Sequence, residues 1–214
     1  MNIFLNKKIL IYGLGKSGLS TFKFLKDKSD IFLYDDNITL KIPEIKKNLI
    51  HYKDILKLKF DQIILSPGIN IDKCKLSKYL KKNHSKIFTD LDVFSAFYKN
   101  DCITITGTNG KSTTCQLMFE VLLNQKFNVK LVGNIGNPIL SVKNVKKNTI
   151  FVIEASSYQL EYSKIFKSKY AVILNLSPDH IERHKSLKKY IKAKFKLLKN
   201  QLKGNLAFVK KMIY

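Results

Sequence analysis

The sequence predicts an α/β chain built on two mostly parallel sheets. Three observations predict it. Short β-rich runs alternate with amphipathic helical stretches from end to end, the signature of βαβ units. A glycine turn, Gly13-Leu14-Gly15-Lys16-Ser17-Gly18, joins a strand to a helix near the start. A second turn, Thr106-Gly107-Thr108-Asn109-Gly110-Lys111-Ser112-Thr113, does the same in the second half.

Taken in order, β-rich runs predict strands over 9–12, 31–34, 62–65 and 86–88, with helices over 17–26 and 75–82. The second half predicts strands over 102–106, 129–132, 150–153, 171–174 and 206–209, with helices over 111–124 and 187–200. Polar Lys99-Asn100-Asp101 separates an aromatic helix end from a fresh strand and marks the division. The reading is therefore a Rossmann-like domain over 1–98 and a partial P-loop-type ATP-binding domain over 99–214. No internal repeat or low-complexity linker interrupts it.

Bulk properties narrow the function classes. No apolar run approaches the ~18 residues a membrane span needs, and the first apolar run is too short for a signal peptide. A cytoplasmic location is expected. Cys74, Cys102 and Cys115 show no CxxC spacing, so neither a metal framework nor a disulfide framework is indicated. The net charge is +23, but most of it is scattered Lys, and Arg, the usual base reader, occurs once, at Arg183. Weak attraction to polyanions follows; a specific nucleic-acid site does not.

Five segments carry chemistry. In the first turn, glycines permit close approach of a diphosphate to the helix N-terminus, and Asp35 ends the next strand where a ribose-binding carboxylate would sit. The dinucleotide NAD is the first functional reading of these residues, and a glycine turn that only packs is the alternative. In the second turn, backbone N–H groups would cradle phosphates, Lys111 would reach the β/γ-phosphates and the Ser112 hydroxyl would meet Mg²⁺. Ile105 stands where the strict phosphate-loop pattern has glycine, so the loop is a variant. Glu154 ends a strand in Glu154-Ala155-Ser156-Ser157-Tyr158-Gln159-Leu160-Glu161, a position suited to a metal-binding carboxylate or to a solvated acid. Asp179 and His180 lie in Asn175-Leu176-Ser177-Pro178-Asp179-His180-Ile181-Glu182-Arg183-His184, again after a strand, while His51 and His84 read as surface residues. Lys194, in Tyr190-Ile191-Lys192-Ala193-Lys194-Phe195, is locally indistinguishable from its neighbours in a basic helix.

The order of these motifs, with Ser66-Pro67-Gly68-Ile69 and Gly133-Asn134-Ile135-Gly136 between them, resembles the Mur ligase family. Within it, an N-terminal GxGxxG combined with SSYQLE is similar to the branch that adds D-glutamate. The resemblance implies ATP-driven amide formation in peptidoglycan synthesis: the carboxylate of UDP-N-acetylmuramoyl-L-alanine becomes an acyl phosphate, which the amine of D-glutamate attacks. It implies that Lys16, Ser17, Asp35, Asp36 and Gly68 contact the uridine part, so that the first turn holds UDP. It implies substrate contacts from Asn134, Ser156 and Gln159. ATP would lie on Gly107, Thr108, Asn109, Gly110, Lys111, Ser112 and Thr113. Ser112, Glu154, His180 and Lys194 would serve Mg²⁺, Lys194 as a carbamate, which requires a lysine of lowered pKa. Lys111, Lys194 and His180 would be the catalytic residues.

Family members are longer, and the C-terminal ligase domain that contacts D-glutamate is expected to be absent from this chain. A UDP-sugar and ATP-binding fragment without ligase activity, a chain without a stable fold, and another Mur-type ligase are therefore the alternatives. A monomer is the default expectation for assembly.

Overall fold

The structure, a computed structural model, describes residues 2–37 and 43–210. The first half runs β1 (Lys8–Tyr12), α1 (Lys16–Leu25), β2 (Asp30–Tyr34), α2 (Tyr52–Lys57), β3 (Gln62–Leu65), α3 (Ser77–Lys82), β4 (Ile87–Phe88) and α4 (Asp90–Phe97). The second runs β5 (Cys102–Thr106), α5 (Lys111–Asn124), β6 (Val129–Gly133), β7 (Ile150–Glu154), α6 (Ser157–Tyr162), β8 (Tyr170–Ile173), α7 (Ile181–His184), α8 (Leu187–Lys199) and β9 (Leu206–Val209).

Two sheets result, ordered β2-β1-β3-β4 and β6-β7-β5-β8-β9. Every pairing between these strands is parallel. Burial explains the centre of each. Ile9, Leu10, Ile11 and Tyr12 of β1 and all of β3 are buried, as are Phe151 to Glu154 of β7. Such strands must be covered on both faces, and parallel connections supply the covering helices. In β9, Leu206, Phe208 and Val209 are 51%, 56% and 41% exposed, so among the described residues this edge strand lacks the cover that the central strands have.

All predicted strands and long helices form, with boundary shifts. The helix predicted over 75–82 begins at Ser77, and the strand predicted over 86–88 is only Ile87–Phe88. Short helices α2, α6 and α7 go beyond the sequence reading, as does a 3₁₀ segment over Pro43–Asn48. Two helices open with reciprocal capping boxes, Thr89 with Asp92 for α4 and Ser156 with Gln159 for α6.

The sheets meet along α4. Phe94 packs edge-on against Phe151 of β7, with ring centroids 4.8 Å apart. Oδ1 of the buried Asp92 accepts hydrogen bonds from the Ser163 hydroxyl and from the backbone N–H groups of Lys164, Ile165 and Phe166, at 2.8–3.1 Å. One carboxylate thereby satisfies the turn after α6. A second contact lies near α7, where the Arg183 guanidinium donates to the Ile69 carbonyl at 2.6 Å and Lys185 pairs with Asp72.

Candidate active site

The carboxyl ends of parallel strands open on one edge, where loops from neighbouring strands can converge. In the first sheet that edge carries the turn after β1 and the Ser66–Ile69 loop after β3, at the point where strand order reverses. Gly13 has φ +95°, and a Cβ on Gly18 would lie 1.8 Å from the Gly13 carbonyl oxygen, so both positions require glycine. The Ser66 hydroxyl donates to the same carbonyl at 2.7 Å. Asp35 accepts from the Leu14 N–H at 2.6 Å, and Asp36 accepts from the Tyr12 hydroxyl at 2.7 Å. Both acids thus brace the turn. Lys16 is exposed at the start of α1, Ser17 is half-buried and Gly68 is exposed. Beside Asp35 a cavity of about 270 Å³ is lined by Leu14, Tyr34, Asn37, Lys46, Leu49, Ile50 and His51. Its apolar walls and few polar groups suit a planar base or sugar.

In the second sheet the phosphate loop crosses from β5 to α5 with Gly110 at φ +79°. Asn175, after β8, grips it: its Oδ1 accepts from the N–H groups of Thr108 and Asn109 at 3.2 and 2.8 Å, and its Nδ2 donates to the Asn109 carbonyl at 3.0 Å. Thr108 also exchanges hydrogen bonds with the Ser177 backbone and lies 3.0 Å from the Tyr190 hydroxyl. Lys111 Nζ donates to the Thr108 carbonyl at 2.8 Å, folded back over its own loop.

Glu154 gathers the centre. It is 1% exposed; Oε2 accepts from the Ser112 hydroxyl at 2.8 Å and Oε1 from Asn134 Nδ2 at 2.9 Å. Gly133 allows that approach, since a Cβ there would lie 2.3 Å from the Glu154 carbonyl oxygen. A buried carboxylate held by neutral donors, with a hydroxyl beside it, is a hard-oxygen set suited to Mg²⁺. Among the described residues no group of three or more His, Cys, Asp or Glu forms a metal cage on its own, so any cation here would rely on Ser112 and phosphate oxygens as well.

Lys194 sits in the apolar stripe of α8 with Tyr190, Ala193 and Leu197, and is 2% exposed. Its Nζ donates to the Gly107 carbonyl at 2.8 Å and to the Thr106 hydroxyl at 3.3 Å. Burial, reinforced by the Lys111 charge, lowers its pKa to about 7. The amine is thus available in neutral form near physiological pH, as carbamate formation needs. His180 has φ +52° and its ring lies 4.9 Å from that of Tyr158; Asp179 accepts from its N–H at 2.9 Å. His184 is buried, bonded to the Ser157 hydroxyl at 3.0 Å, with its pKa pushed down to about 4 by burial first and then by Arg183 and His180.

Ser156 and Gln159 are occupied by their capping box, and Gln159 is 3% exposed. The structure therefore brings Gly107, Thr108, Asn109, Gly110, Lys111, Ser112, Asn134, Glu154 and Lys194 to one edge. Thr113 stands on the exposed flank of α5, lining a shallow cleft with Ser112 and Gln116. Sequence reasoning gave no role to Asn175, Ser66 or Tyr12; the first two stand in recognised motifs, directly after a strand, and that position was the available signal.

Two glycine turns on parallel sheets, one a phosphate-loop type facing a buried acid, define the class: an α/β protein with the architecture of nucleotide-binding folds. Residues 105–212 match the model of the Mur ligase middle domain, and residues 7–87 that of the Mur ligase MurD-like N-terminal domain. The chain belongs to the Mur ligase family. It is 39% identical over 212 residues to a UDP-N-acetylmuramoylalanine–D-glutamate ligase of Lachnoclostridium phytofermentans, covering 94% of this chain and 46% of that one. It is 38% identical to the protein of the same name in Elusimicrobium minutum, covering 96% of this chain and 48% of that one. The chain thus spans about half the length of the curated relatives it matches. Among solved structures, a UDP-N-acetylmuramate:L-alanyl-gamma-D-glutamyl-meso-diaminopimelate ligase from Neisseria meningitides shares the fold, with a TM-score of 0.58 at 15% identity, covering 95% of this chain and 71% of that one.

Proposed function

We propose that this chain supplies the substrate and ATP sites of an ATP-dependent amide ligase that adds D-glutamate to UDP-N-acetylmuramoyl-L-alanine through an acyl phosphate. The observation that carries the proposal is the convergence of Ser112, Glu154, Asn134 and the buried Lys194 on the phosphate loop. The names and motif order of the relatives supply the substrate. The uridine part would lie at the turn after β1, on Lys16, Ser17, Asp35, Asp36 and Gly68, with the cavity beside Asp35 for the base. ATP would lie on Gly107 to Thr113, with backbone N–H groups on its phosphates. Lys111 would swing from the Thr108 carbonyl to the β/γ-phosphates and offset charge on the transferring group. Ser112 and Glu154 would hold Mg²⁺, with His180 and the carbamate of Lys194 at a second ion. Bound there, Mg²⁺ would neutralise phosphate charge. Asn134, next to Glu154, would orient the muramoyl carboxylate, with Ser156 and Gln159 shaping the wall behind it.

A second reading has one specific observation in its favour. The two turns stand on separate sheets, and as a binding module the chain would hold both ligands without joining them. Calorimetry with UDP-N-acetylmuramoyl-L-alanine, followed by phosphate release with D-glutamate, L-alanine or a diamino acid, separates the readings. Saturable binding with release dependent on D-glutamate supports ligation. Binding without release supports the module. Absence of binding by a cooperatively folded chain overturns the uridine site and returns the first turn to a dinucleotide.

A further inference from the structure

Asp90 opens α4 with its carboxylate 4% exposed, and the groups that bond it come from both sheets. From the second sheet, Gln159 Nε2 donates to Oδ1 and Oδ2 at 3.3 and 3.2 Å. From the first, its own helix contributes the Leu91 N–H at 2.9 Å, and Ser17 of α1 lies near enough to favour its charged form. The other end of the Gln159 carboxamide is also committed: Oε1 accepts from the Ser156 N–H at 3.2 Å. Two residues before Ser156 stands Glu154, bonded to Ser112 and Asn134. A hydrogen-bonded path therefore runs from Asp90, beside Ser17 at the turn after β1, through Gln159 to Ser156, two residues beyond the strand end that faces the phosphate loop. A buried carboxylate held by neutral donors is costly, and a hydrophobic contact would have joined the sheets at less cost. Asp92, one turn-face away, already rivets the interface through four hydrogen bonds. Holding the sheets together does not explain Asp90.

We infer that Asp90 is a positioning residue which holds the Gln159 carboxamide against the Ser17 end of α1, so that ligand at the turn after β1 and nucleotide at the phosphate loop favour one shared arrangement. The inference rests on the functional reading above and adds to it a coupling between its two sites. Burial pushes the Asp90 carboxyl up to about 6, and Gln159, Leu91 and Ser17 act against that rise, which agrees with the carboxylate form being the one they bind.

Coupling is reciprocal and measurable as a ratio of affinities. The test titrates the whole chain with a non-hydrolysable ATP analogue and Mg²⁺, with and without saturating UDP-N-acetylmuramoyl-L-alanine. The wild type is expected to bind the analogue about fivefold or more tightly when the UDP-sugar is present. In Asp90→Asn a donor faces the Gln159 Nε2 donor; turning the Gln159 amide over only moves the clash to the Ser156 N–H. The ratio should fall below about twofold, while each ligand alone binds nearly as before and the melt remains cooperative. The double variant Asp90→Asn with Gln159→Glu exchanges amide and carboxylate and satisfies every donor again, and the ratio should recover. A wild type that binds both ligands without coupling overturns the inference and leaves the functional reading intact. An undiminished ratio in Asp90→Asn, or no recovery in a folded double variant, also overturns it. A wild type that binds neither ligand overturns the functional reading, and the inference with it.

Discussion

The turn after β1 and the turn after β5 both lead a parallel strand into a helix, yet their polar groups are committed differently. Around the first, the acids serve the protein: Asp35 bonds the Leu14 N–H, Asp36 bonds Tyr12, and Ser66 closes on the Gly13 carbonyl. Around the second, the groups that matter bond one another and can exchange those bonds for a ligand: Ser112 and Asn134 on Glu154, Lys111 on Thr108, Lys194 on Gly107. On the proposed function, the first would be a rigid seat that recognises its ligand by shape. The second would be an electrostatic centre that phosphate and cation complete. The difference shows that a glycine-turn motif specifies where a diphosphate fits, while neighbouring side chains specify whether charge can be moved there.

The comparison breaks most visibly at Gly18. A Cβ at that position meets the Gly13 carbonyl oxygen at 1.8 Å, a backbone atom that cannot rotate away. Gly18→Ala is expected to cost ~3 kcal/mol, the upper end of overpacking, and to lower Tm by about 6–12 °C for a chain of this size. The loss should appear in UDP-sugar binding. Differential scanning calorimetry checks it; an unchanged Tm would show that the seat is not rigid.

At the other turn the expected loss is electrostatic. Glu154→Gln keeps the shape of the side chain and its hydrogen bonds to Asn134 or Ser112, and removes the charge. Affinity for ATP with Mg²⁺ should fall about 100-fold, ~2.7 kcal/mol, with UDP-sugar affinity and Tm nearly unchanged. Calorimetry with and without Mg²⁺ decides, because an equal loss in both would mean that Glu154 only shapes the loop.

Legibility in the sequence divides along the same line. Strand runs such as Ile9 to Tyr12 and glycine turns are local signals, and the sheets follow from them. The turn residues announced themselves by spacing. Short helices did not: α6 and α7 are too short for a periodic pattern, although Thr89 with Asp92 and Ser156 with Gln159 carry the capping-box signature. Long-range roles were invisible too. Asn175 reaches the phosphate loop only because β8 pairs with β5, and Asp90 meets Gln159 only across two sheets. Lys194 lay between these cases. Its spacing with Tyr190, Ala193 and Leu197 places a lysine on an apolar face, a conflict that periodicity alone could have exposed.

That conflict gives the next prediction. Lys194 has its pKa lowered to about 7 by burial and then by Lys111, so the unfolded chain binds more protons than the folded one between pH 7 and 10.5. Its contribution to stability is therefore present at high pH and lost as pH falls through that window. Wild type should gain ~2 kcal/mol relative to Lys194→Met between pH 7 and 9. Urea melts at the two pH values measure it, and parallel behaviour would mean that the amine is not buried as the apolar stripe of α8 places it.

The smallest effect sharpens the same reasoning at His184, whose pKa is pushed down to about 4. The unfolded imidazole takes up its proton near pH 6.5, the folded one far lower, so stability is present above pH 6.5 and lost as pH falls towards 4. Asp90 acts with the opposite sign: its carboxyl is raised to about 6, and protonation there favours the folded state as pH falls through that value. The wild-type curve alone thus mixes two opposing slopes. The difference between wild type and His184→Gln isolates one of them, since Asp90 is present in both. Wild type should lose ~1 kcal/mol relative to the variant between pH 6.5 and 5.5. A difference that stays flat would mean that His184 titrates like an exposed imidazole, and that burial beside Arg183 and His180 is not what keeps the ring neutral.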